Sequence, residues 1–393
     1  MRLLHVVPTY LPAWRHGGPI ASVHGLARAL VARGHTVRVL TTNRNGPETM
    51  PVPVGEPVDV DGVEVRYFAV APPARLARSP GMKSRFPAAL ADSDLLHVHS
   101  VFLWPPGAAT RAARWAGVPY VVSPRGMLVR ELFSLRGAVR KRLWLALEGR
   151  RMLTRAAAIA VTSDVEAQQA LHLVHELPPL EIVPNGVDLP DPGAGPSPSP
   201  AVAAALARQP LLLHLGRVSW KKGLDRLIPA LARLDGVTLA VAGPDEGGES
   251  ARLARLARAA GVAERVLFLG PVAGDDKEAL LRGATIFVLP SHSENFGNAA
   301  LEALARGVPA IVTPEVGLAY PIIEAGCGAV VSAGAEPWGR EIARQLADEG
   351  RMRAMGEAGI RMAREQFSWP AVAARMEEVY EAVLARRRSR RPR

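Results

Sequence analysis

The chain opens on Met1-Arg2-Leu3-Leu4-His5-Val6-Val7-Pro8 and reaches the glycine turn His16-Gly17-Gly18-Pro19. An amphipathic stretch over residues 20–32, closed by Gly34, leads to a second apolar run at 35–41. Residues 2–7 read as a buried strand. Their apolar run is interrupted by His5 and stopped by Pro8, with no small-residue cleavage site after it, so it does not read as a signal peptide. Strand, glycine turn, helix and strand make a βαβ unit. Repeated units of this kind build a parallel sheet covered by helices on both faces, which sets the expected class as α/β.

Apolar runs at 63–70, 95–99, 120–123 and 158–162 extend the strand series. It breaks at Leu189-Pro190-Asp191-Pro192-Gly193-Ala194-Gly195-Pro196-Ser197-Pro198-Ser199-Pro200. Proline removes backbone donors and fixes φ, so neither helix nor sheet is expected to run through that stretch. The alternation restarts with strands at 211–215, 238–242, 266–269, 286–289 and 310–312 and helices at 224–234, 249–260 and 298–306. The expected organisation is a first domain over 1–189, a linker over 190–205, a second domain over 206–368, a C-terminal helix over 369–385 and a basic tail over 386–393. Two doubly wound halves joined in this way would face each other across a cleft.

The chain has 393 residues, 48% hydrophobic and 22% charged, which excludes wholesale disorder and collagen-like or coiled-coil architectures. Its single cysteine, Cys327, cannot form an intrachain disulfide or a thiolate zinc cluster. No segment reaches the roughly 18 apolar residues that a membrane-spanning helix needs. The net charge is +11, carried almost wholly by arginine because only five lysines are present. A surplus of that size favours anionic partners: nucleic acid, acidic lipid headgroups or phosphorylated small molecules.

Ligands of open parallel sheets collect at the carboxyl ends of strands. Beyond the strand at 211–215 stands Gly216-Arg217-Val218-Ser219-Trp220-Lys221-Lys222-Gly223. Its glycines, the helix start after it and the cations Arg217 and Lys222 suit an anion such as a diphosphate; it reads equally as a solvated turn. Beyond 286–289 stands Pro290-Ser291-His292-Ser293-Glu294-Asn295-Phe296-Gly297-Asn298, with Glu302 farther along the helix. Eight helical steps would separate Glu294 from Glu302 by about 12 Å. That exceeds the roughly 5–9.5 Å of a glycosidase carboxylate pair, and suits contacts with two ends of one elongated ligand. The competing reading of Glu302 is a surface ion pair with Arg306, worth a few tenths of a kcal/mol. Asp59-Val60-Asp61-Gly62 reads as a hairpin turn and not as a metal motif. The histidines show no ligand spacing along the sequence.

The Glu294-x7-Glu302 spacing resembles the E-x7-E signature of retaining glycosyltransferases of the GT-B fold, specifically family 4 (glycosyltransferase group 1). Gly216-Arg217 with Lys222-Gly223 is similar to the family's G-R-x4-K-G element, and Pro184-Asn185-Gly186-Val187-Asp188 to its P-N-G-[IV]-D turn. Ser123-Pro124-Arg125-Gly126-Met127-Leu128, Thr162-Ser163-x2-Glu166 and Leu96-His97-Val98-His99 look like first-domain landmarks of members that build bacterial polysaccharides. The resemblance spans nearly the whole chain and implies two Rossmann-like domains, with the C-terminal helix returning to the first.

It also implies roles. Arg217 and Lys222 would hold the donor's diphosphate, Glu302 the ribose, and Glu294 the transferred sugar. The backbone of Asn295, Phe296 and Gly297 would lie close to the sugar and phosphates. Gly17 and Gly18 would approach the diphosphate from the opposite wall, and His99 would face the sugar, its competing reading being a satisfied core histidine. Catalysis would rest on Glu294, His99, Arg217 and Lys222, with no cofactor and no metal, the nucleoside diphosphate sugar being a substrate. Lys83 and Arg125 are candidate acceptor contacts. The acceptor expected is a hydroxyl of a lipid-linked or polysaccharide chain. The loop Thr313-Pro314-Glu315-Val316-Gly317-Leu318 departs from the family's acidic or Gly-Gly element and is given no role.

From 130 to 155, Arg130, Arg136, Arg140, Lys141, Arg142, Arg150, Arg151 and Arg155 face only Glu131 and Glu148, with Leu132, Leu143, Trp144 and Leu147 interleaved. Such a segment can lie on an anionic membrane or be a core-packed helix with a solvated basic face. The expected location is cytoplasmic, peripheral at the inner membrane face. Two rivals stand beside this reading. A nucleotide-sugar epimerase of similar architecture would explain a donor site but not the E-x7-E spacing. A nucleic-acid binder would explain the charge but has no zinc-finger, RRM or basic-zipper pattern.

Overall fold

The computed structural model describes residues 1–13, 18–129, 138–191, 193 and 195–389. It divides into two compact units, the first joining Met1–Gly186 to Trp369–Arg393 and the second formed by Val187–Ser368.

The first unit carries β1 (Arg2–Thr9), β2 (Thr36–Thr42), β3 (Arg44–Asn45), β4 (Glu48–Thr49), β5 (Pro57–Val60), β6 (Val63–Phe68), β7 (Leu95–His99), β8 (Tyr120–Ser123), β9 (Ala158–Val161) and β10 (Leu180–Ile182). Eight of them join in the order β10-β9-β8-β7-β1-β2-β6-β5, parallel throughout except for the β5–β6 hairpin. That hairpin turns at Asp61-Gly62, both at positive φ (50° and 81°), as an Asp-Gly pair between two strands should. Side chains alternate across β1: Leu3 and Val7 enter one core and Leu4 and Val6 the other. The helix Gly18–Ala32 and the C-terminal helix Trp369–Ser389 cover the first of these faces.

The C-terminal helix therefore returns to the first unit. Two glycines make room for its entry: a Cβ would meet the Trp369 ring at 2.2 Å from Gly25 and at 2.3 Å from Gly186. The helix runs to Ser389, so Arg386, Arg387 and Arg388 belong to it and not to a separate tail. Residues 390–393 of the expected tail lie outside the described residues.

The second unit is a six-stranded parallel sheet of β11 (Leu211–Leu215), β12 (Thr238–Ala242), β13 (Val266–Gly270), β14 (Ile286–Leu289), β15 (Ala310–Val312) and β16 (Gly328–Val330). Its order is β13-β12-β11-β14-β15-β16. The helix expected over 224–234 splits into Leu224–Leu227 and a 3-10 stretch Ile228–Arg233, because Pro229 has no N–H for an α-helical bond. The expected linker over 190–205 is corrected in part. No helix or strand forms among the described residues 189–199, but Pro200–Leu206 is a helix of the second unit. The preceding serines are tethered there as well: the Ser199 N–H donates to Asp276 at 2.6 Å and the Ser197 N–H to Asp275 at 3.3 Å.

Candidate active site

Strands β11 and β14 are parallel neighbours, so the loops that follow them leave the same edge of the second sheet. Two contacts close these loops on one another. The His292 N–H donates to the Lys221 carbonyl at 2.7 Å, and Gly223, at φ +63°, packs against Pro290. A Cβ on Gly223 would stand 2.0 Å from the Pro290 carbonyl oxygen. With the loops joined, Lys222 Nζ donates to Glu294 Oε2, the two side chains being 19% and 23% exposed. The turn after β12 joins them at Gly243, where a Cβ would come within 1.9 Å of the Gly216 carbonyl oxygen.

The loop at 313–318, given no role by its sequence, clamps the Glu294 backbone. The Glu294 N–H donates to the Glu315 carbonyl at 3.1 Å, the Gly317 N–H to Glu294 at 3.0 Å and the Leu318 N–H to Phe296 at 3.0 Å. Phe296 is buried, its ring centroid 5.9 Å from that of Phe367. Asn295 is half-buried beside it, and Gly297, at φ +106°, starts the helix Asn298–Leu304.

Glu302 lies on that helix, and its carboxylate meets Lys277 Nζ at 2.8 Å. The expected alternative partner, Arg306, reaches only the Glu302 backbone carbonyl at 3.0 Å and gives its remaining donors to Glu278. Arg282 and Arg306 hold the Glu278 carboxyl below the usual range despite partial burial. Arg217 is 65% exposed and pairs with Glu246 at 3.2 Å; the Lys222–Glu294 contact does not include it. Lys277, Glu246 and His214 were not singled out from the sequence. Lys277 carried a usable signal as one of five lysines in an arginine-dominated chain. His214 is an interior residue of β11 whose Nδ1–H donates to the Val288 carbonyl at 3.2 Å. Burial, reinforced by Lys222, pushes it down to about 3, so it is a neutral neighbour of that cation.

In the first unit, Gly18 begins the helix Gly18–Ala32, while Gly17 lies outside the described residues. His99 ends β7 and is 1% exposed. Its Nε2 lies 3.2 Å from His5 Nδ1, and its Nδ1 has no partner. Arg125 adopts φ +53° and donates from Nη1 to Asn185 Oδ1 at 2.6 Å, tying the S-P-R-G turn to the P-N-G turn. Its guanidinium pKa is lowered by burial. As an acceptor contact it therefore starts from an internal bond. Lys83 is exposed on the helix Pro80–Ala91. Glu166 explains the T-S-x2-E landmark: it accepts from the Thr162 N–H and hydroxyl at 2.7 Å each and from the Gly126 N–H at 2.6 Å.

Although the histidines lack ligand spacing in sequence, the fold gathers His5, His97 and His99, with ring nitrogens within 4.8 Å of one another. Among these six nitrogens only His99 Nδ1 lacks a hydrogen bond. Burial lowers all three pKa values, that of His5 to about 3, and the Arg125 cation adds to the effect. The cluster is thus a buried, neutral, hydrogen-bonded network. Of the basic segment, residues 130–137 lie outside the described residues. In the part described, Val139, Leu143 and Leu147 are 79%, 57% and 66% exposed, whereas Met152 and Leu153 are buried. No helix among the described residues is long and apolar enough to cross a membrane.

Two Rossmann-like units, the second with the loops after β11 and β14 gathered at one sheet edge, define the architecture of a GT-B glycosyltransferase. Sucrose-phosphate synthase from Thermosynechococcus elongatus has the same fold, with TM-score 0.76 at 21% identity over 98% of this chain and 100% of that one. So has Anabaena HepE in complex with UDP, with TM-score 0.73 at 19% identity over 97% and 100%. The model of the glycosyl transferase 4-like domain matches residues 17–186, and that of glycosyl transferases group 1 matches 200–362. The D-inositol 3-phosphate glycosyltransferase of Xylanimonas cellulosilytica is 32% identical, covering 95% of this chain and 94% of its own. That of Salinispora tropica is 31% identical over 98% and 86%. The chain belongs to the group 1, family 4 glycosyltransferases and is a transferase enzyme.

Proposed function

We propose that the enzyme transfers a sugar, with retention, from a nucleoside diphosphate sugar to a hydroxyl of a lipid-linked or polysaccharide acceptor. The observation behind this reading is the Lys222–Glu294 pair, a largely buried cation and carboxylate on two loops that glycine contacts lock together. Donor binding would give Lys222 a diphosphate oxygen and Glu294 the sugar hydroxyls. Lys222, with Arg217 swinging from Glu246, would stabilise charge growing on the leaving diphosphate, a large catalytic effect of positioned cations. Glu302 would accept from the ribose, and Asn295, Phe296 and Gly297 would line the sugar and phosphates with backbone. Gly17 and Gly18 would approach the phosphates from the first unit, and His99 would meet the sugar. The acceptor hydroxyl attacks on the face the diphosphate leaves, and the departing phosphate takes its proton. Protein cations do the work with no metal or cofactor in this scheme.

The lipid-linked half of the proposal rests on Val139, Leu143 and Leu147, exposed at every fourth residue among Lys141, Arg142 and Arg151. A stripe of this composition suits the anionic inner face of a membrane, which would make the enzyme cytoplasmic and peripheral. The names of the relatives favour a second acceptor, a phosphorylated inositol, for which Arg125 and Lys83 are candidate contacts. Lys222→Ala and Glu294→Ala should each lower kcat by at least about 100-fold in a folded chain. Full activity in either sinks the assignment. A thermal-shift screen with UDP, GDP and ADP sugars identifies the donor, since a ligand at 100 times its Kd adds about 2.7 kcal/mol. Inositol 3-phosphate and a lipid-linked sugar assayed side by side decide the acceptor.

A further inference from the structure

Five buried polar groups of the first unit form one hydrogen-bonded chain. His99 Nε2 lies 3.2 Å from His5 Nδ1, and His5 Nε2 lies 3.4 Å from the Tyr380 hydroxyl. That hydroxyl is 2.7 Å from His97 Nδ1, and His97 Nε2 is 2.8 Å from Ser123 Oγ. All five residues are at most 3% exposed. The sheet explains the gathering. His5 and His97 are register partners on β1 and β7, His97 and His99 are two residues apart and so share a face, and the C-terminal helix packs on that face with Tyr380.

A neutral imidazole has one N–H and one bare nitrogen, and a hydroxyl donates one proton. Suppose His99 donates from Nε2. His5 then accepts at Nδ1 and donates from Nε2 to Tyr380, which donates to His97 Nδ1, and His97 donates from Nε2 to Ser123. In the opposite sense every step reverses, and all three histidines carry their proton on Nδ1. The three must therefore share one tautomer. A mixed set leaves some bond with two protons or none or, where His5 and His97 both donate to Tyr380, leaves the buried Tyr380 O–H without an acceptor, and an unmade buried hydrogen bond costs about 1–3 kcal/mol. His99 Nδ1, the one unpartnered ring nitrogen, is a bare acceptor in the first arrangement and a donor in the second.

We infer that Tyr380 is a positioning residue which, through this chain, ties the form of His99 Nδ1, a lone pair or a proton toward a sugar hydroxyl, to the tautomer of His97. The inference rests on the proposed placement of His99 beside the transferred sugar. Tyr380 suits the task because a hydroxyl that accepts from one of these imidazoles keeps its own proton bonded in the chain only by donating to the other. Burial lowers the three histidine pKa values and raises that of Tyr380, so all four groups are neutral at working pH.

Nitrogen–proton correlation spectra of the imidazoles in the full-length, donor-free protein read the tautomers directly. The expected result is one shared tautomer for His5, His97 and His99, and a mixed set overturns the inference. Tyr380→Phe cuts the chain, so His97 should no longer share the tautomer of the His5–His99 pair. Its kcat should fall about tenfold, the worth of one hydrogen bond in the transition state, with the donor KM unchanged. Unaltered tautomers in Tyr380→Phe overturn the chain itself. Altered tautomers with an unchanged kcat overturn the inference through the placement of His99. Should that variant fail to fold, the wild-type spectrum decides alone.

Discussion

Mild acid should unfold the first unit well before the second. An unfolded histidine titrates near 6.5, whereas burial holds His5 to about 3 and His97 and His99 well below their ordinary value. Below pH 6.5 the unfolded chain therefore binds protons that the folded chain refuses, and stability falls from pH 6.5 downward until the folded groups titrate. At pH 5.0 His5 costs about 2 kcal/mol, 1.5 pH units at about 1.36 kcal/mol each. His97 and His99 act in the same direction, so the first unit loses more than this. The second unit has His214 alone in this condition among the described residues, and loses about 2 kcal/mol. Both units hold carboxylates below the usual range by pairing with arginines, Asp92, Asp94 and Glu377 in the first and Glu278 and Glu341 in the second, and these stay ionised at pH 5. With 2–4 °C per kcal/mol for units of this size, the second unit should melt roughly 4–8 °C lower at pH 5.0 than at pH 7.5, and the first should fall by more than that. Hydrogen exchange on peptides from β1 and β7, against peptides from β11 and β12, assigns each melt to its unit. Superimposable melts of the first unit at the two pH values would refute the neutral buried triad.

Three further outcomes follow from single contacts. Gly223→Ala puts a Cβ 2.0 Å from the Pro290 carbonyl at positive φ, and should cost at least about 3 kcal/mol in urea titration together with most donor binding; wild-type values would show that the loops do not close there. Glu302→Gln should raise the donor KM about tenfold by weakening a charged hydrogen bond to the ribose. It should cost under about 1 kcal/mol of stability, because the Lys277–Glu302 pair is substantially exposed, and an unchanged KM removes Glu302 from the donor site. Changing Val139, Leu143 and Leu147 together to Gln should reduce co-sedimentation with anionic vesicles at least about tenfold. Equal sedimentation of the variant and the parent chain would leave the basic segment as a solvated helix face.

The two sheets were legible because continuous apolar runs, which strands buried on both faces require, and glycine turns are local signals. Strands β7, β8, β11, β12, β14 and β15 begin and end where their apolar runs do. Where a strand was missed, the local signal was missing too. In β16, Gly328 is required by the Ala310 carbonyl 2.0 Å from its would-be Cβ, and glycine and alanine carry little strand propensity. Lys222 and Glu294 were legible as candidates because each stands at a short, fixed offset from the end of such a strand. Their pairing was not, because nothing in the sequence says that β11 and β14 are neighbours.

The histidine chain lies beyond sequence reading altogether. His5 and His97 are register partners 92 residues apart, and Tyr380 arrives from 283 residues beyond His97. Read locally, His5 merely interrupts an apolar strand and Tyr380 is one aromatic on an amphipathic helix. The same reasoning divides the surplus charge. Lys222 is spent on Glu294 and Arg125 on the Asn185 turn, so neither belongs to a diffuse basic surface. The arginine-rich composition that first suggested nucleic acid has its most ordered members inside the two units, where they set loop geometry. Other cations stay exposed, among them Arg217, Arg386, Arg388 and the basic residues Arg142, Arg150 and Arg151 beside the exposed Val139, Leu143 and Leu147, so the surplus charge has several places at which to meet an anion.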